Sequence, residues 1–247
     1  MVVRTKVGLL YPGHAAEDDY PLMEELLGPT VALSVVHTSV GEDAHRVDAL
    51  LDLGSTGRLS EGAGQLRRFE VDAAIWACTS GSFVFGWEGA QQQIDVLTGV
   101  LGVPASSTSF AFVHAAGALR VAQVAVAATY PEDVAVRFVE FLGRGGIEVL
   151  RLSSRGISTA TEVGALGRAE VMDLAVDNDH PEAEAVLLPD TALHTVTWLD
   201  DLENRLGKPV LTANQVSVWE GLRIAGHAED RTGLGALFRV GSSRAVE

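Results

Sequence analysis

The stretch IWACTSG (75–81) is an apolar run that ends in a cysteine, a threonine and a serine, and LLPDTAL (187–193) echoes it later in the chain. Two further pairs of segments repeat in the same order: LLYP (9–12) with ATYP (128–131), and LGVPASS (101–107) with LGKPVLT (206–212). Three matched pairs in one order favour an internal duplication. The alternative, strand-to-loop junctions that resemble one another without a common origin, stays open.

Short apolar runs alternate with longer segments along the whole chain. The runs are partly β-branched and bounded by Pro, Gly, Thr or Asp, which is typical of buried strands, and they are Lys6–Tyr11, Val71–Ala77, Val121–Ala128 and Glu184–Leu188. Helical spacing is found in Tyr20–Leu27, Leu59–Phe69, Gln91–Leu101, Pro131–Gly143, Thr161–Asp177 and Val196–Leu206. This alternation predicts parallel sheets with helices on both faces.

The repeat and the alternation together predict an α/β protein of two similar lobes related by pseudo-two-fold symmetry. Ligands of parallel sheets bind beyond the carboxyl ends of the strands. If the lobes pack about a two-fold axis, the loops after matching strands face each other. Cys78 and Thr79 then stand opposite Asp190 and Thr191 across one cleft.

Composition limits the kinds of partner. The chain has 247 residues, 47% hydrophobic and 21% charged, and a net charge of −15, which disfavours binding to nucleic acid. No apolar stretch approaches the roughly 20 residues of a membrane helix, and the first residues do not form a signal peptide. The single cysteine excludes an internal disulfide and fits a reducing compartment. We therefore predict a cytoplasmic protein that does not bind a membrane.

The turn that begins at Cys78 carries the chemistry. A thiol beside backbone N–H groups and a helix N-terminus favours its thiolate form. Thr79, Ser80 and Ser82 add hydroxyl donors, and Gly81 lets the backbone come close to a ligand. Such a turn suits a carboxylate held next to a nucleophile or base. The other interpretation is a buried structural cysteine, which is a common fate of a free thiol.

Several nearby side chains have a plain structural interpretation as well as a functional one. Asp190 is either an acid/base or the N-cap of a helix that starts at Thr191. Tyr11, His14, Ser82 and Asn214 are candidates to line the cleft. His194 could orient Asp190 from one helical turn away, although an ordinary surface histidine is the simpler interpretation.

No motif in the sequence predicts a metal or a cofactor. The seven histidines are scattered, and Asp177–His180 lacks the glycine and distal glutamate of a calcium loop. The first strand is not followed by a dinucleotide-binding glycine pattern, and there is no phosphate-binding P-loop sequence. We therefore expect a site without cofactor or metal.

Five segments carry a family resemblance: VGLLYPG (7–13), VDAAIWACTSGSF (71–83), LGVPASSTSFAFVHA (101–115), VAVAATYPEDV (124–134) and residues 187–226. In these the chain resembles the Asp/Glu racemase superfamily, and within it the branch of maleate cis–trans isomerase and arylmalonate decarboxylase. The resemblance implies two lobes, each with a parallel four-stranded sheet flanked by helices. It places residues 1–116 and 217–247 in lobe 1, residues 117–216 in lobe 2, and the active site between them.

The resemblance also implies roles for individual residues. Thr79, Ser80, Tyr130 and the backbone at Thr191 would bind a substrate carboxylate. Cys78 matches the first of two cysteines in the two-base isomerases, whereas Asp190 stands where the second would be. In the decarboxylase branch the first cysteine is missing and the second is kept.

These observations predict a cofactor-independent isomerase or racemase-type enzyme that acts on a small mono- or dicarboxylate. Thiolate Cys78 would be the nucleophile or base, and Asp190 the opposing acid/base. The first alternative is a cofactor-free decarboxylase of the arylmalonate type, which needs only one protonating residue. The second is an accessory protein of a catabolic pathway that binds a carboxylate without turning it over. Association into a homo-oligomer is also expected from the resemblance.

Overall fold

Two parallel sheets form the framework of the protein. In a computed structural model that describes residues 4–13, 15–227 and 230–240, the sheets have the orders β2-β1-β3-β4 and β6-β5-β7-β8. The strands are β1 Thr5–Tyr11, β2 Val31–His37, β3 Ala73–Trp76, β4 Ala105–Ser107, β5 Gln123–Ala128, β6 Glu148–Ser154, β7 Ala185–Leu188 and β8 Val210–Thr212. The same order of strands in both sheets confirms the prediction of two similar α/β lobes.

Helices surround the sheets. They are α1 Asp19–Leu27, α2 Val47–Leu53, α3 Thr56–Leu66, α4 Ser80–Phe83, α5 Gly86–Leu101, α6 Thr108–Leu119, α7 Glu132–Arg144, α8 Ala160–Gly164, α9 Arg168–Asp177, α10 Leu199–Leu206 and α11 Ala213–Ile224. Within the described ranges, no helix is long and apolar enough to cross a membrane.

Two predicted helices differ from the structure. Thr161–Asp177 is not one helix, because α8 ends at Gly164 and α9 begins at Arg168, after Gly167. Val196–Leu206 starts as a short 3-10 helix over Val196–Trp198 before α10. Glycines at 164 and 167 explain the first break, since glycine is the ordinary residue that least favours a continuous helix.

The last helix of each half follows its edge strand directly. Ser107 ends β4, and its hydroxyl accepts the Phe110 N–H at 3.4 Å, which caps α6. Thr212 ends β8 and caps α11, where its N–H donates to the Gln215 side chain at 3.1 Å. The two helices pack together, with Thr108 and Ser217 hydroxyls 2.6 Å apart. The helices that follow the equivalent edge strands of the two halves therefore pack against each other.

Aromatic side chains join the lobes on the other side. Phe138 and Phe141 of α7 contact four rings from the first half of the chain. Phe83 and Phe112 lie 5.3 and 5.4 Å from Phe138, while Trp87 and Phe110 lie 5.0 and 5.1 Å from Phe141. These contacts belong to one apolar core that continues from the first sheet to β5 and α7. A shared core of this kind fixes the ends of the two sheets relative to each other.

Candidate active site

A small cavity lies at the carboxyl ends of β1, β3 and β7, where the two sheets face each other. Its volume is about 50 Å³, and residues from both halves of the chain line it, among them Tyr11, His45, Cys78, Ser80, Asp190 and Thr191. Two larger surface depressions, of about 580 and 700 Å³, contain neither Cys78 nor Asp190. The cavity is at the place where parallel α/β sheets bind ligands.

Cys78 and Asp190 occupy equivalent positions in the two lobes. Each lies two residues past the end of its strand, β3 for Cys78 and β7 for Asp190. Both are buried, with 4% of each residue exposed, and both line the cavity. The structure therefore brings together the two side chains that the sequence places opposite each other.

The backbone after β3 holds the sulfur of Cys78. The Gly81 N–H donates to Sγ at 3.3 Å, and the Ser80 hydroxyl lies 3.9 Å from Sγ. A Cβ atom at position 81 would lie 3.0 Å from Sγ and 3.1 Å from the Trp76 ring. Glycine at this position thus allows the backbone N–H to reach the sulfur.

Cys78 is a thiol in the free protein, contrary to the predicted thiolate. Burial raises the pKa of Cys78 from 9.0 to about 12, and the negative charge of Asp190 adds to the rise. The hydrogen bonds from Gly81 and Ser80 act in the opposite direction but are weaker than the loss of hydration. The helix that starts at Ser80 is only four residues long, and it does not offset this loss.

Asp190 is held by two donors. The Thr129 hydroxyl donates to Oδ2, and the Ala192 N–H donates to Oδ1 at 3.0 Å. The carboxylate thus closes a turn over residues 190–193, and no helix starts at Thr191 as the N-cap interpretation requires. His45 is the third neighbour, with Nε2 3.9 Å from Asp190 Oδ2.

Two buried tyrosines brace the turn that contains Asp190. Tyr130 donates its hydroxyl proton to the Pro189 carbonyl at 2.8 Å, and Tyr11 donates to the Thr191 carbonyl at 3.1 Å. Burial raises the pKa of both tyrosines far above the ordinary value, and the charge of Asp190 adds to the rise. Both hydroxyls therefore stay protonated and engaged with the backbone, so Tyr130 reaches a substrate only if it releases Pro189.

The predicted carboxylate binders differ in how accessible they are. Ser80 and Thr191 line the cavity. Thr79 is fully buried, and within the described part of the chain its hydroxyl has no hydrogen bond of normal geometry. The Thr79 hydroxyl lies close to the Tyr130 hydroxyl. This contact lowers the pKa of Tyr130 a little, against the rise that burial causes. Thr79 is thus a buried hydroxyl that can still form a hydrogen bond.

Three of the sequence candidates are placed away from the cavity. The Ser82 hydroxyl donates to Ser107 at 2.9 Å, behind the Cys78 turn. Asn214 accepts from Tyr20 at 3.0 Å and donates to Asp19 at 3.1 Å, so it supports the contact between lobes. His194 pairs with Asp18 at 2.9 Å instead of orienting Asp190.

His14, a fourth candidate for the cleft, lies outside the described residues, and its role stays a prediction. The sequence also suggests that Arg239–Glu247 is a frayed tail. Arg239 ends a short 3-10 helix over Ala236–Arg239, and residues 241–247 lie outside the described residues.

A loop that the sequence does not single out covers the cavity. Residues 38–46, here called the covering loop, connect β2 to α2 and contribute His45 and Asp43 to the lining. Asp43 accepts hydrogen bonds from the Ala160 N–H at 2.8 Å and from the Thr161 N–H and hydroxyl at 3.1 and 2.7 Å. Burial alone would raise the pKa of Asp43, but these three donors hold it below its usual range. The loop is therefore fastened by a carboxylate to the start of α8.

Sequence comparison identifies the family. A sequence model described as arylmalonate decarboxylase matches residues 54–238, about three quarters of the chain. The chain belongs to the arylmalonate decarboxylase family. One relative, the arylmalonate decarboxylase of Bordetella bronchiseptica, is 31% identical over 140 residues, which cover 56% of this chain and 58% of the relative.

Solved structures of an arylmalonate decarboxylase and of a maleate cis–trans isomerase have the same fold. A double mutant of arylmalonate decarboxylase in liganded form has a TM-score of 0.84 at 23% identity, with 96% of this chain and 99% of that chain covered. The Nocardia farcinica maleate cis–trans isomerase, as a mutant with a covalently bound succinylcysteine intermediate, has a TM-score of 0.86 at 19% identity, with coverage of 95% and 98%. The predicted resemblance to this branch is confirmed.

The charged side chains that line the cavity are acidic. Of the described residues that line it, none is an arginine or lysine, whereas Glu42, Asp43 and Asp190 are acidic. Nor do the described histidine, cysteine and acidic side chains form a group that could hold a metal ion. In this member of the arylmalonate decarboxylase family, the described lining therefore consists of neutral and acidic groups together with one histidine.

Proposed function

We propose that the protein is a cofactor-independent enzyme that isomerises a small unsaturated dicarboxylate. Cys78 acts as the nucleophile, and Asp190 acts as the opposing acid/base. One observation carries the proposal: these two side chains, equivalent in the two lobes, line one cavity. Membership of a family whose relatives include decarboxylases and cis–trans isomerases supports it.

The proposed reaction follows from the protonation state of the thiol. Because Cys78 is neutral in the free protein, its proton moves to Asp190 as the sulfur adds to one alkene carbon. The electron pair of the double bond moves onto the neighbouring carboxylate as an enediolate. The Thr79 and Ser80 hydroxyls and the backbone at Thr191 hold that negative charge. Rotation about the carbon–carbon bond that was the double bond, followed by loss of the thiolate, gives the trans product. The proton then returns to Cys78.

A covalent bond from sulfur to a four-carbon diacid has a precedent in the family. The Nocardia farcinica isomerase mutant carries a succinylcysteine. We propose the same kind of bond at Cys78, since Cys78 is the only cysteine of the chain and its sulfur lines the cavity.

Decarboxylation of a malonate-type substrate is the second candidate, and the neutral thiol favours it. Loss of CO2 leaves an enediolate, whose carbon needs one proton donor on one face. A buried thiol with a pKa of about 12 already carries that proton. The match to arylmalonate decarboxylases over residues 54–238 also supports this reaction.

The product decides between the two reactions. The protein is incubated separately with maleate and with phenylmalonate in D2O and followed by NMR, and the Cys78-containing peptide is analysed by mass spectrometry after acid quench. Formation of fumarate with a maleate adduct on Cys78 supports isomerisation. Release of CO2 with one deuterium in the arylacetate supports decarboxylation. Binding of either compound without turnover indicates the accessory protein and contradicts both.

Three further expectations belong to the same proposal. We propose that the protein works in the cytoplasm, that it forms a homo-oligomer, and that residues 1–116 with 217–247 and residues 117–216 are its two lobes. The packing of α11 against α6 and the first sheet supports the assignment of the C-terminal segment to lobe 1.

A further inference from the structure

His45 is the histidine that the covering loop puts into the cavity. Only 6% of it is exposed, although it comes from a loop and not from a core element. The other histidine paired with a carboxylate across the lobes, His194 with Asp18, lies on the surface. Burial in a cavity with two groups that exchange protons is the first sign that His45 has a role beyond packing.

The surroundings of His45 fix which ring nitrogen carries the permanent proton. Nδ1 lies 3.0 Å from the Ile157 carbonyl oxygen, which can only accept, so Nδ1–H donates. The backbone N–H of His45 donates to the Ser158 carbonyl at 2.7 Å. The ring stands edge-on to Tyr130, at 5.0 Å and 90°. Nε2 is therefore the nitrogen without a proton in the neutral ring, and it faces Asp190 Oδ2 at 3.9 Å.

The negative charge of the site favours a group, such as His45 Nε2, that can take up a proton. When the thiol proton of Cys78 moves to Asp190 and a dicarboxylate is present, the cavity holds several negative charges and no arginine or lysine from its described lining. Leaving them uncompensated in a small, water-poor space is strongly unfavourable. Histidine is the side chain that ordinarily exchanges its proton near neutral pH.

We propose that His45 Nε2 is the proton-holding partner of Asp190, so that these two residues together form the second acid/base of the site. This inference rests on the proposed function. The gap of 3.9 Å is closed by a small rotation of the ring or by one bridging water. His45 then acts on substrate through Asp190 and supplies a positive charge beside the bound carboxylate.

The proton balance of the isomerisation is complete with this pair. Asp190 accepts the proton of the Cys78 thiol as the S–C bond forms, and it passes one proton to His45 Nε2, which becomes imidazolium. When the S–C bond breaks and the double bond re-forms, His45 returns the proton through Asp190 to the thiolate. In decarboxylation the same pair supplies, from solvent, the proton that Cys78 gives to the enediolate.

The charge on His45 depends on all the groups that face it. Asp190, Tyr130 and Cys78 face it from the strand ends, and Asp43 and Glu42 lie on its own loop. The tyrosine and the cysteine are neutral at ordinary pH because burial raises their pKa.

His45→Asn separates proton transfer from packing. The asparagine amide can still donate to the Ile157 carbonyl, but it has no nitrogen that titrates. We expect turnover of maleate or phenylmalonate to fall about a hundredfold, and the limb of the pH profile that reports the imidazole to disappear, at an unchanged melting temperature. His194→Asn, the matched change in the surface pair, should keep the wild-type rate and profile. Wild-type turnover with an unchanged pH profile in His45→Asn would overturn the inference.

A measurement without substrate keeps this test independent of the proposed function. In protein labelled with 15N-histidine, the Nε2 resonance of His45 should shift when Asp190→Asn removes the neighbouring charge, while the Nδ1–H signal persists. The Nε2 resonance of His194 serves as the internal control and should stay in place. An Nε2 resonance of His45 that is the same in both proteins would refute the pairing, even if both substrates are turned over. If the wild-type protein turns over neither substrate but the shift is present, the result counts against the proposed function and not against the pair.

Discussion

The turn after β3 and the turn after β7 hold equivalent positions in the two lobes, yet they are built in different ways. After β3 the chain enters α4 and α5, and the turn is held mainly by lobe 1: Gly81 N–H contacts Sγ of Cys78, and the Gln93 amide donates to the Gly81 carbonyl at 2.8 Å. After β7 no helix follows at once. The β7 turn depends on side chains from distant parts of the chain, such as Tyr11, Tyr130 and Asp19.

This difference explains why the two turns present different chemical groups. The helical turn packs tightly and leaves a neutral, poorly hydrated thiol. The irregular turn collects polar donors around a carboxylate and lets a histidine from the covering loop approach it. The β3 turn therefore presents a buried thiol, and the β7 turn presents a buried carboxylate that a histidine from the covering loop approaches. The two lobes have the same strand order, and they differ in their turns and not in their sheets.

The largest effect is expected when either turn loses its reactive group. Cys78→Ala should lower turnover by on the order of a thousandfold or more, because it removes the nucleophile or proton donor, and Asp190→Ala should have a similar effect. If the two act as one unit, the double variant is little worse than either single one. Steady-state kinetics of the three variants measure this. Losses that multiply in the double variant would show that the two turns act independently.

The dependence of the β7 turn on outside support predicts a loss of stability in Asp19→Ala. The carboxylate of Asp19 accepts from the Thr195 N–H and the Asn214 amide, both at 3.1 Å and both buried. Leaving these donors unpaired should lower the free energy of unfolding by about 2 kcal/mol. Urea unfolding measures it, with Asp18→Ala, an exposed neighbour, as the control.

The pH dependence of that loss has a definite sign. Burial raises the pKa of Asp19 above 3.8, and its hydrogen bonds only partly oppose this. The stabilisation from Asp19 is therefore complete below its unfolded pKa and decreases as pH rises through the raised value. The difference between wild type and Asp19→Ala should be larger in acid than at neutral pH. A difference that grows with pH would contradict this assignment.

A smaller effect is expected from Asp43→Ala, which unfastens the covering loop from α8. A cavity of about 50 Å³ has room for one or two waters, so a dicarboxylate binds only after this loop moves. In Asp43→Ala the closed complex lacks the three hydrogen bonds that the Asp43 carboxylate accepts, so kcat/KM should fall about tenfold. Asp48→Ala, which changes an exposed carboxylate just beyond the loop, should leave kcat/KM unchanged. Equal kinetics of Asp43→Ala and wild type would show that the fastening does not affect closure.

The sequence predicted the sheets better than the details of the site. The apolar runs that became β1, β3, β5 and β7 are short and bounded by turn residues, and the internal repeat placed Cys78 opposite Asp190 correctly. The break between α8 and α9 was missed, because residues on both sides of Gly164 keep helical spacing. The strands and the repeat depend on local properties of the chain, which can be read directly from the sequence.

His45 could not be found in the same way. The sequence drew attention to His14 and His194, which lie close in the chain to predicted site residues. His45 reaches the cavity because Asp43 binds the start of α8, more than a hundred residues away. The neutral state of the Cys78 thiol was also missed, since it depends on how completely the surrounding turns exclude water. Both are consequences of tertiary packing between the lobes.

The central claim is that the Cys78 thiol and the Asp190 carboxylate share one poorly hydrated cavity. The most direct test follows the 13Cβ resonance of Cys78, the only cysteine of the chain, as a function of pH in wild type and in Asp190→Asn, with Asp201→Asn as a surface control. The account predicts a wild-type thiol that keeps its proton to about pH 12 and titrates at lower pH once the charge at 190 is removed. A wild-type thiolate near neutral pH, or identical titrations in the wild type and Asp190→Asn, would contradict it.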